Sequence, residues 1–224
     1  MAGVGLTPRG ARLARPARRL QLLGAAQEIF VERGYHAAAM DDIAQRAGVS
    51  KPVLYQHFPG KLELYLAVLD RHAGALVDQV RAALRSTEDN RRRVEASVAA
   101  YFSFVAGEGG AFRLVFERDL RTDPAVNERV ERMTAACVDA IAETIAHDTG
   151  VGSDEARLLS VGLVGLAEVG ARWWLASAQG ISQERAVELL VGLSWRGLSG
   201  SPRTSAEPDD TGAADGPPAH RERG

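Results

Sequence analysis

The chain has one cysteine, few aromatic residues and no long apolar run, and each shortage removes a class of protein. With Cys137 alone there is no internal disulfide framework, and a reducing cytoplasm is the expected compartment. The longest apolar stretch, near Leu158–Ala167, stops at Glu168. That is short of the roughly 18 residues a spanning helix needs, so no membrane partner is expected. The N-terminus is rich in arginine but lacks the apolar segment of a signal peptide, which argues against export. No segment alternates with period two over the length of a strand, which leaves an all-α chain. His36, His57, His72, His147 and His220 show no metal-ligand spacing with Cys137 or with carboxylates. There is also no phosphate-cradling glycine loop and no nucleophile motif. An enzyme, a resident metal and a cofactor are therefore not expected.

What is present favours close helix packing: 46% of the 224 residues are hydrophobic, and alanine, leucine, valine and glycine predominate. The net charge of −2 conceals a division. Residues 1–61 hold nine Lys/Arg against four Asp/Glu, whereas the remainder holds 18 against 25. A basic first quarter on an acidic body suggests that one end meets a polyanion.

Residues 1–17, rich in Gly, Pro, Ala and Arg, read as a disordered basic arm. Its Arg9, Arg12 and Arg15, with Arg18 and Arg19, could serve DNA contact or solubility alone. A helix follows with Leu22, Leu23, Ala26, Ile29 and Phe30 at three- and four-residue intervals, closed by Gly34. "MDDIAQRAG" repeats the pattern, with Asp41 and Asp42 suited to the positive end of the helix dipole and Gly48 to a left-handed exit. Ser50 is placed to cap the next helix, so Pro52 falls in a first turn whose N–H groups have no helical partner anyway. A long helix is predicted from Lys61 to about Leu84. Further helices are predicted over 91–107, 111–119, 124–149, 153–178 and 182–198, with Asp123-Pro124 marking one beginning and Ser153 and Ser182 placed as caps for two others. Residues 199–224 read as a solvated tail.

Two short helices, 40–47 and 51–58, joined by Gly48-Val49-Ser50, form a helix-turn-helix. Ile43, Ala44, Gly48, Val49 and Leu54 fall at the crossing. The other face of the second helix then has no core to fill. Lys51 can donate to guanine, Gln56 can pair with adenine, and Pro52 or Val53 can touch a thymine methyl. Tyr55, His57 and Lys61 suit phosphate, and Ser50 opens the same surface. The competing reading is an ordinary helical hairpin, which would bury the polar tips of Tyr55 and His57 beside Gln56 at a cost.

Residues 18–65 resemble the DNA-binding domain of TetR-family transcriptional regulators. The anchors are Phe30…Gly34-Tyr35, Ile43-Ala44…Ala47-Gly48-Val49-Ser50 and Leu54-Tyr55…Phe58…Lys61…Leu64. One departure is Ala37-Ala38-Ala39, where the family commonly has a capping Thr or Ser that touches phosphate. The resemblance implies a helix-turn-helix domain (18–61), a linking helix (62–84) within a ligand-binding and dimerisation domain (62–198), and a double-stranded operator. It also implies a homodimer through helices 153–178 and 182–198, where Gly162, Gly165, Ala167, Gly170 and Ala171 would admit a close neighbour. An apolar effector is implied among the middle helices, with candidate lining from Tyr101, Phe102, Phe104, Val105, Phe112, Leu114, Val115, Phe116, Met133, Cys137, Ile141, Leu163, Leu166, Trp173 and Trp174. Most of these also fit a plain core. "GAFRLVFERDLRTDPAV" and "SVGLVGLAEVGARWWLAS" resemble an actinobacterial subgroup that controls fatty-acid synthase genes and responds to long-chain acyl-CoA. Arg113, Arg118 or Arg121 could then meet a phosphorylated head group. Glu168 and Arg172 are spaced as an i,i+4 pair. The rival function is a helical carrier or interaction module without operator binding.

Overall fold

The computed structural model describes residues 14–107, 120, 122–177 and 180–196. Among these, eight helices and no strand occur: α1 (Arg15–Ala37), α2 (Met40–Arg46), α3 (Lys51–His57), α4 (Lys61–Arg85), α5 (Asn90–Ala106), α6 (Pro124–Thr149), α7 (Ser153–Ser177) and α8 (Gln183–Arg196). The helix predicted over 111–119 lies outside the described residues, as do the greater part of the basic arm and the tail.

The first three helices fold around the apolar stripe legible in α1. Leu22, Ile29 and Phe30 pack with Ile43, Leu54 and Phe58 and with Leu64 and Tyr65 of α4, all essentially buried. Phe30 and Tyr65 meet edge-on at 5.2 Å, which fixes α4 against α1. The helix-turn-helix bend is made by Gly48 at φ 63°, a left-handed conformation that lets the Val49 N–H return to the Ala44 carbonyl at 3.0 Å.

Several expected boundaries shift. α1 begins at Arg15, so Arg15, Arg18 and Arg19 belong to a helix rather than to an arm. Gly34 interrupts α1 at φ 73° without ending it, and a last turn continues to Ala37. Neither Ser50 nor an aspartate caps α3 or α2 through its side chain. Asp41 and Asp42 are drawn instead to Lys51 and Arg33. Asp123, at the beginning marked by Pro124, caps α6 by accepting from the Ala125 and Val126 N–H groups, and Ser182 Oγ accepts from the Arg185 N–H. Ser153 is already inside α7, whose first turn is closed by Glu155 reaching back to the Gly152 N–H at 3.0 Å.

α4, about 37 Å long at 1.5 Å per residue, joins the two halves. It packs on α1 at one end and on α5 and α6 beyond. α7 lies across α5 and α6, and α8 closes over α5. By length and composition α7 could cross a membrane, contrary to the expectation from its interrupted run. It nevertheless carries Asp154, Glu155, Arg157, Glu168 and Arg172 and packs on three helices of the body. Some of the small residues of α7 serve this packing, whereas Gly162 and Gly165 have open space beside them. Ala167 and Ala171 are buried, and a Cβ on Gly170 would press into Leu190 of α8, so the close approach expected of a second copy is taken up there by the chain itself.

Candidate nucleic-acid interface and interior cavity

α3 buries one side chain of its seven, Leu54, and turns the rest outward. Ser50, Lys51, Pro52 and Gln56 are exposed, Tyr55 is 41% exposed, and Val53 and His57 are half-buried. The hairpin alternative, with Tyr55 packed inward, is therefore not what folds. Phe58 alone of the local aromatics goes to the core.

Charge collects beside this helix. Arg19 lies 4.4 Å over the Phe58 ring, and Arg18 is held by Gln21 at 2.7 Å. Partial burial, then the nearby Arg15, Arg19 and Arg18, lower the pKa of His57, so it is neutral at pH 7 in the free protein. The arginines at the start of α1 and the end of α3 thus form one cationic edge, which spacing along the chain could not reveal. Gln21 also donates to the Ala47 carbonyl at 2.8 Å and pins α1 to the turn.

Lys51 and Lys61 differ in a way the sequence does not disclose. Lys51 is exposed and paired with Asp41 at 2.8 Å, which raises its pKa. Lys61 turns inward, donating to the carbonyls of Tyr35, His36 and Ala38 at 2.8, 3.2 and 3.0 Å and sitting 4.6 Å over the Tyr35 ring. Its three N–H donors are spent on the end of α1, which corrects the expectation of a phosphate contact.

The second feature is a cavity of about 420 Å³ between the end of α4, α5, α6, α7 and the end of α8, within the ordinary range for small-molecule sites. Its wall along α5 runs from Asn90 to Tyr101, about 16 Å at 1.5 Å per residue. One end carries Asn90, Arg93, Asp148 and Thr149, with Arg93 and Asp148 ion-paired and each side chain only 17% exposed. The remainder is largely apolar, with Leu84, Val94, Ile141, Ile145 and Leu163 prominent. Of the expected lining residues, Tyr101, Ile141, Leu163 and Leu166 reach this wall. Phe102, Phe104, Val105, Met133 and Cys137 are buried in the core away from it, and Phe102 packs on Trp174. Trp173 is a correction: it points outward at 59% exposure. Phe112, Leu114, Val115, Phe116, Arg113, Arg118 and Arg121 lie outside the described residues. The sequence does not single out Ser97, Val98, Thr144 and Trp195, which share the wall because five helices meet there. Glu168 and Arg172 form the anticipated pair at 3.8 Å. Among the described residues no cluster of His, Cys, Asp and Glu could hold a metal ion.

A protruding helix with outward polar groups, carried on a helical body with a half-open apolar cavity, defines a DNA-binding regulator of the helix-turn-helix class. Residues 22–68 match the family described as bacterial regulatory proteins, tetR family, and residues 90–197 match the tetracyclin repressor-like C-terminal domain. The chain belongs to the TetR family of transcriptional regulators and is not an enzyme. It is 53% identical over 196 residues to the HTH-type transcriptional activator FasR of Mycolicibacterium smegmatis, covering 88% of this chain and 90% of that one. A TetR-like regulator from Rhodococcus sp. RHA1 superposes with a TM-score of 0.67 at 27% identity, over 85% of this chain and all of the other. The fold is also that of FadR from Bacillus subtilis, solved in complex with stearoyl-CoA: TM-score 0.68, 17% identity, 80% and 98% covered.

Proposed function

We propose that the protein works as a homodimer on a near-palindromic operator and that an apolar effector, a long-chain acyl-CoA, sets its operator affinity. The observation that carries this reading is the course of α4. Leu64 and Tyr65 at its start lie in the core beneath the recognition helix, and Leu84 at its end lines the cavity. A ligand that prefers one tilt of α4 shifts the operator-competent population by its preference between the two tilts. The domain division of the sequence reading, 18–61 for DNA and 62–198 for effector and partner, follows the same line. The setting is the cytoplasm.

DNA contact falls to Ser50, Lys51, Pro52, Val53, Tyr55, Gln56 and His57, with Arg15, Arg18 and Arg19 on the flanking phosphates. Dimerisation is supported by an apolar stripe on α7 left exposed by the described residues, where Leu158, Val161, Val169 and Trp173 recur at helical spacing and stand 73, 51, 56 and 59% exposed. Leu189 and Leu193 of α8 extend it. Such a stripe marks an interface, and a second copy is the partner the family implies. The acyl-CoA reading draws on the apolar wall, the identity to FasR and the stearoyl-CoA carried by the FadR structure. The name of FasR, a transcriptional activator, further supports activation; fatty-acid synthase genes as the targets follow from the resemblance to the actinobacterial subgroup.

The test is titration of the full chain, bound to its own promoter, with acyl-CoA esters of graded chain length. The expected result is a change in operator affinity that grows with chain length to an optimum. Indifference to chain length would remove the effector, and failure to shift any neighbouring promoter would favour the carrier reading.

A further inference from the structure

Three residues of the cavity wall also belong to the outside of the molecule. Leu159 of α7 and Trp195 of α8 line the cavity, yet they are 53% and 51% exposed. Gly162 of α7 lines it too, and open space lies where its Cβ would be. Wall residues half in water mark the side on which the cavity opens. Gln183 at the start of α8 donates to Ser103 near the end of α5 at 3.2 Å. The helix therefore runs back along α5 and brings Trp195, about 18 Å further on, toward the Arg93 end of the cavity. The opening thus lies beside the last turn of α8 and the first half of α7.

The apolar stripe of α7 passes directly over this edge. Gly162 is one turn beyond Leu158 and two turns before Val169, so it lies within the stripe while it lines the cavity. A neighbour laid along the stripe necessarily meets the rim. The rest of the chain suits the opening less well. Residues 199–224, which follow α8, hold no Val, Ile, Leu, Met, Phe, Tyr or Trp, so they have little to lay against an apolar rim. The linker after α5 leaves at Gly107, about 21 Å along the helix from Arg93.

We propose that the effector cavity is completed only in the dimer: a second copy of this chain, seated on the α7 stripe, covers the open side at Leu159 and Gly162, so that effector binding and dimerisation stabilise one another. An apolar chain held in one copy alone keeps part of its surface against water, and the partner's helices remove that part. Removing roughly 55 Å² of ligand and rim from water corresponds to about tenfold in affinity at each cavity. Linkage makes the effect reciprocal, so two filled cavities tighten the dimer by about a hundredfold. The proposal rests on the dimer and acyl-CoA readings above and adds that the two are one equilibrium.

The test measures both sides of that equilibrium on the full chain, with palmitoyl-CoA kept below its micelle concentration. Fluorescence-detected sedimentation gives the dimer dissociation constant with and without palmitoyl-CoA, and equilibrium dialysis gives the affinity for palmitoyl-CoA. Two variants, Val169→Glu on α7 and Leu189→Glu on α8, change exposed residues that do not line the cavity. Palmitoyl-CoA is expected to lower the dimer dissociation constant of the wild-type protein by about a hundredfold. Both variants are expected to be monomers that bind palmitoyl-CoA about tenfold more weakly than the wild-type dimer and to agree with each other, with melting in the absence of ligand little changed. A dimer constant indifferent to palmitoyl-CoA, or monomers that bind it as tightly as the wild-type protein, overturns the proposal and leaves the dimer and effector readings standing. Variants that remain dimers overturn the assigned interface, and this proposal with it. A wild-type protein that does not bind palmitoyl-CoA overturns the effector reading, and again this proposal with it.

Discussion

Lys51 Nζ lies 2.8 Å from Asp41 Oδ1, so the recognition helix of the free protein holds its foremost cation against a carboxylate of the preceding helix. Contact with a base or phosphate must break or share that pair. Asp41→Asn is expected to raise operator affinity by up to about fivefold, because an exposed ion pair is weak and its loss frees the lysine. Lys51→Ala is expected to lower affinity and to reduce discrimination between operator and random duplex. Gel-shift titrations at two salt concentrations measure both effects.

Lys61 supports a different outcome. Lys61→Met leaves three carbonyls at the end of α1 without their donor while keeping the length of the stem. A loss of about 1–3 kcal/mol is expected, seen as a lower urea midpoint. The slope of operator affinity against salt should stay unchanged; a slope reduced by about one would restore Lys61 to the phosphate contacts.

His72 Nε2 lies 2.9 Å from Gln27 Oε1 and ties α4 to α1, and burial followed by the charge of Arg71 lowers its pKa from the ordinary 6.5. The unfolded chain then binds the proton first as pH falls. The stabilising contribution is complete above about 6.5 and is lost as pH drops through the lower folded value. Denaturant midpoints measured from pH 7.5 to 5 should fall for the wild-type protein and fall less for His72→Gln. Parallel curves would refute the assignment.

On the outer stripe, Val169 is exposed and opposes no described part of its own chain. Val169→Glu is expected to convert the proposed dimer to a monomer in sedimentation while leaving the melting of the helical body little changed. Operator affinity should fall by about a hundredfold, since two linked half-sites are then read separately. An unchanged sedimentation coefficient would place the interface elsewhere.

The helix-turn-helix was legible because its signals are local. Gly48 is required by one left-handed turn, Pro52 by one first turn, and Leu54 by the single buried face of a short helix. The cavity was legible only in fragments. Tyr101, Ile141 and Leu166 look like core residues at helical spacing, and so do Phe102 and Met133, yet only the first three reach the open space. Trp173 and Trp174 are neighbours on one helix; one faces outward while the other is held by the Ile181 carbonyl at 2.8 Å. Periodicity gives the face of a helix but not what stands opposite it.

The sequence by itself determined the all-helical class, the turn at Gly48 and the outward face from Lys51 to His57, since backbone conformation and side-chain period act within a few residues. The partners of the two lysines, the joining of Arg15, Arg18 and Arg19 to the α3 edge, and the meeting of Ser97 and Tyr101 with α7 at one cavity were decided by tertiary structure. Those relationships depend on how helices far apart in the chain cross, and crossing is fixed by the packing of the whole core rather than by any local run of residues.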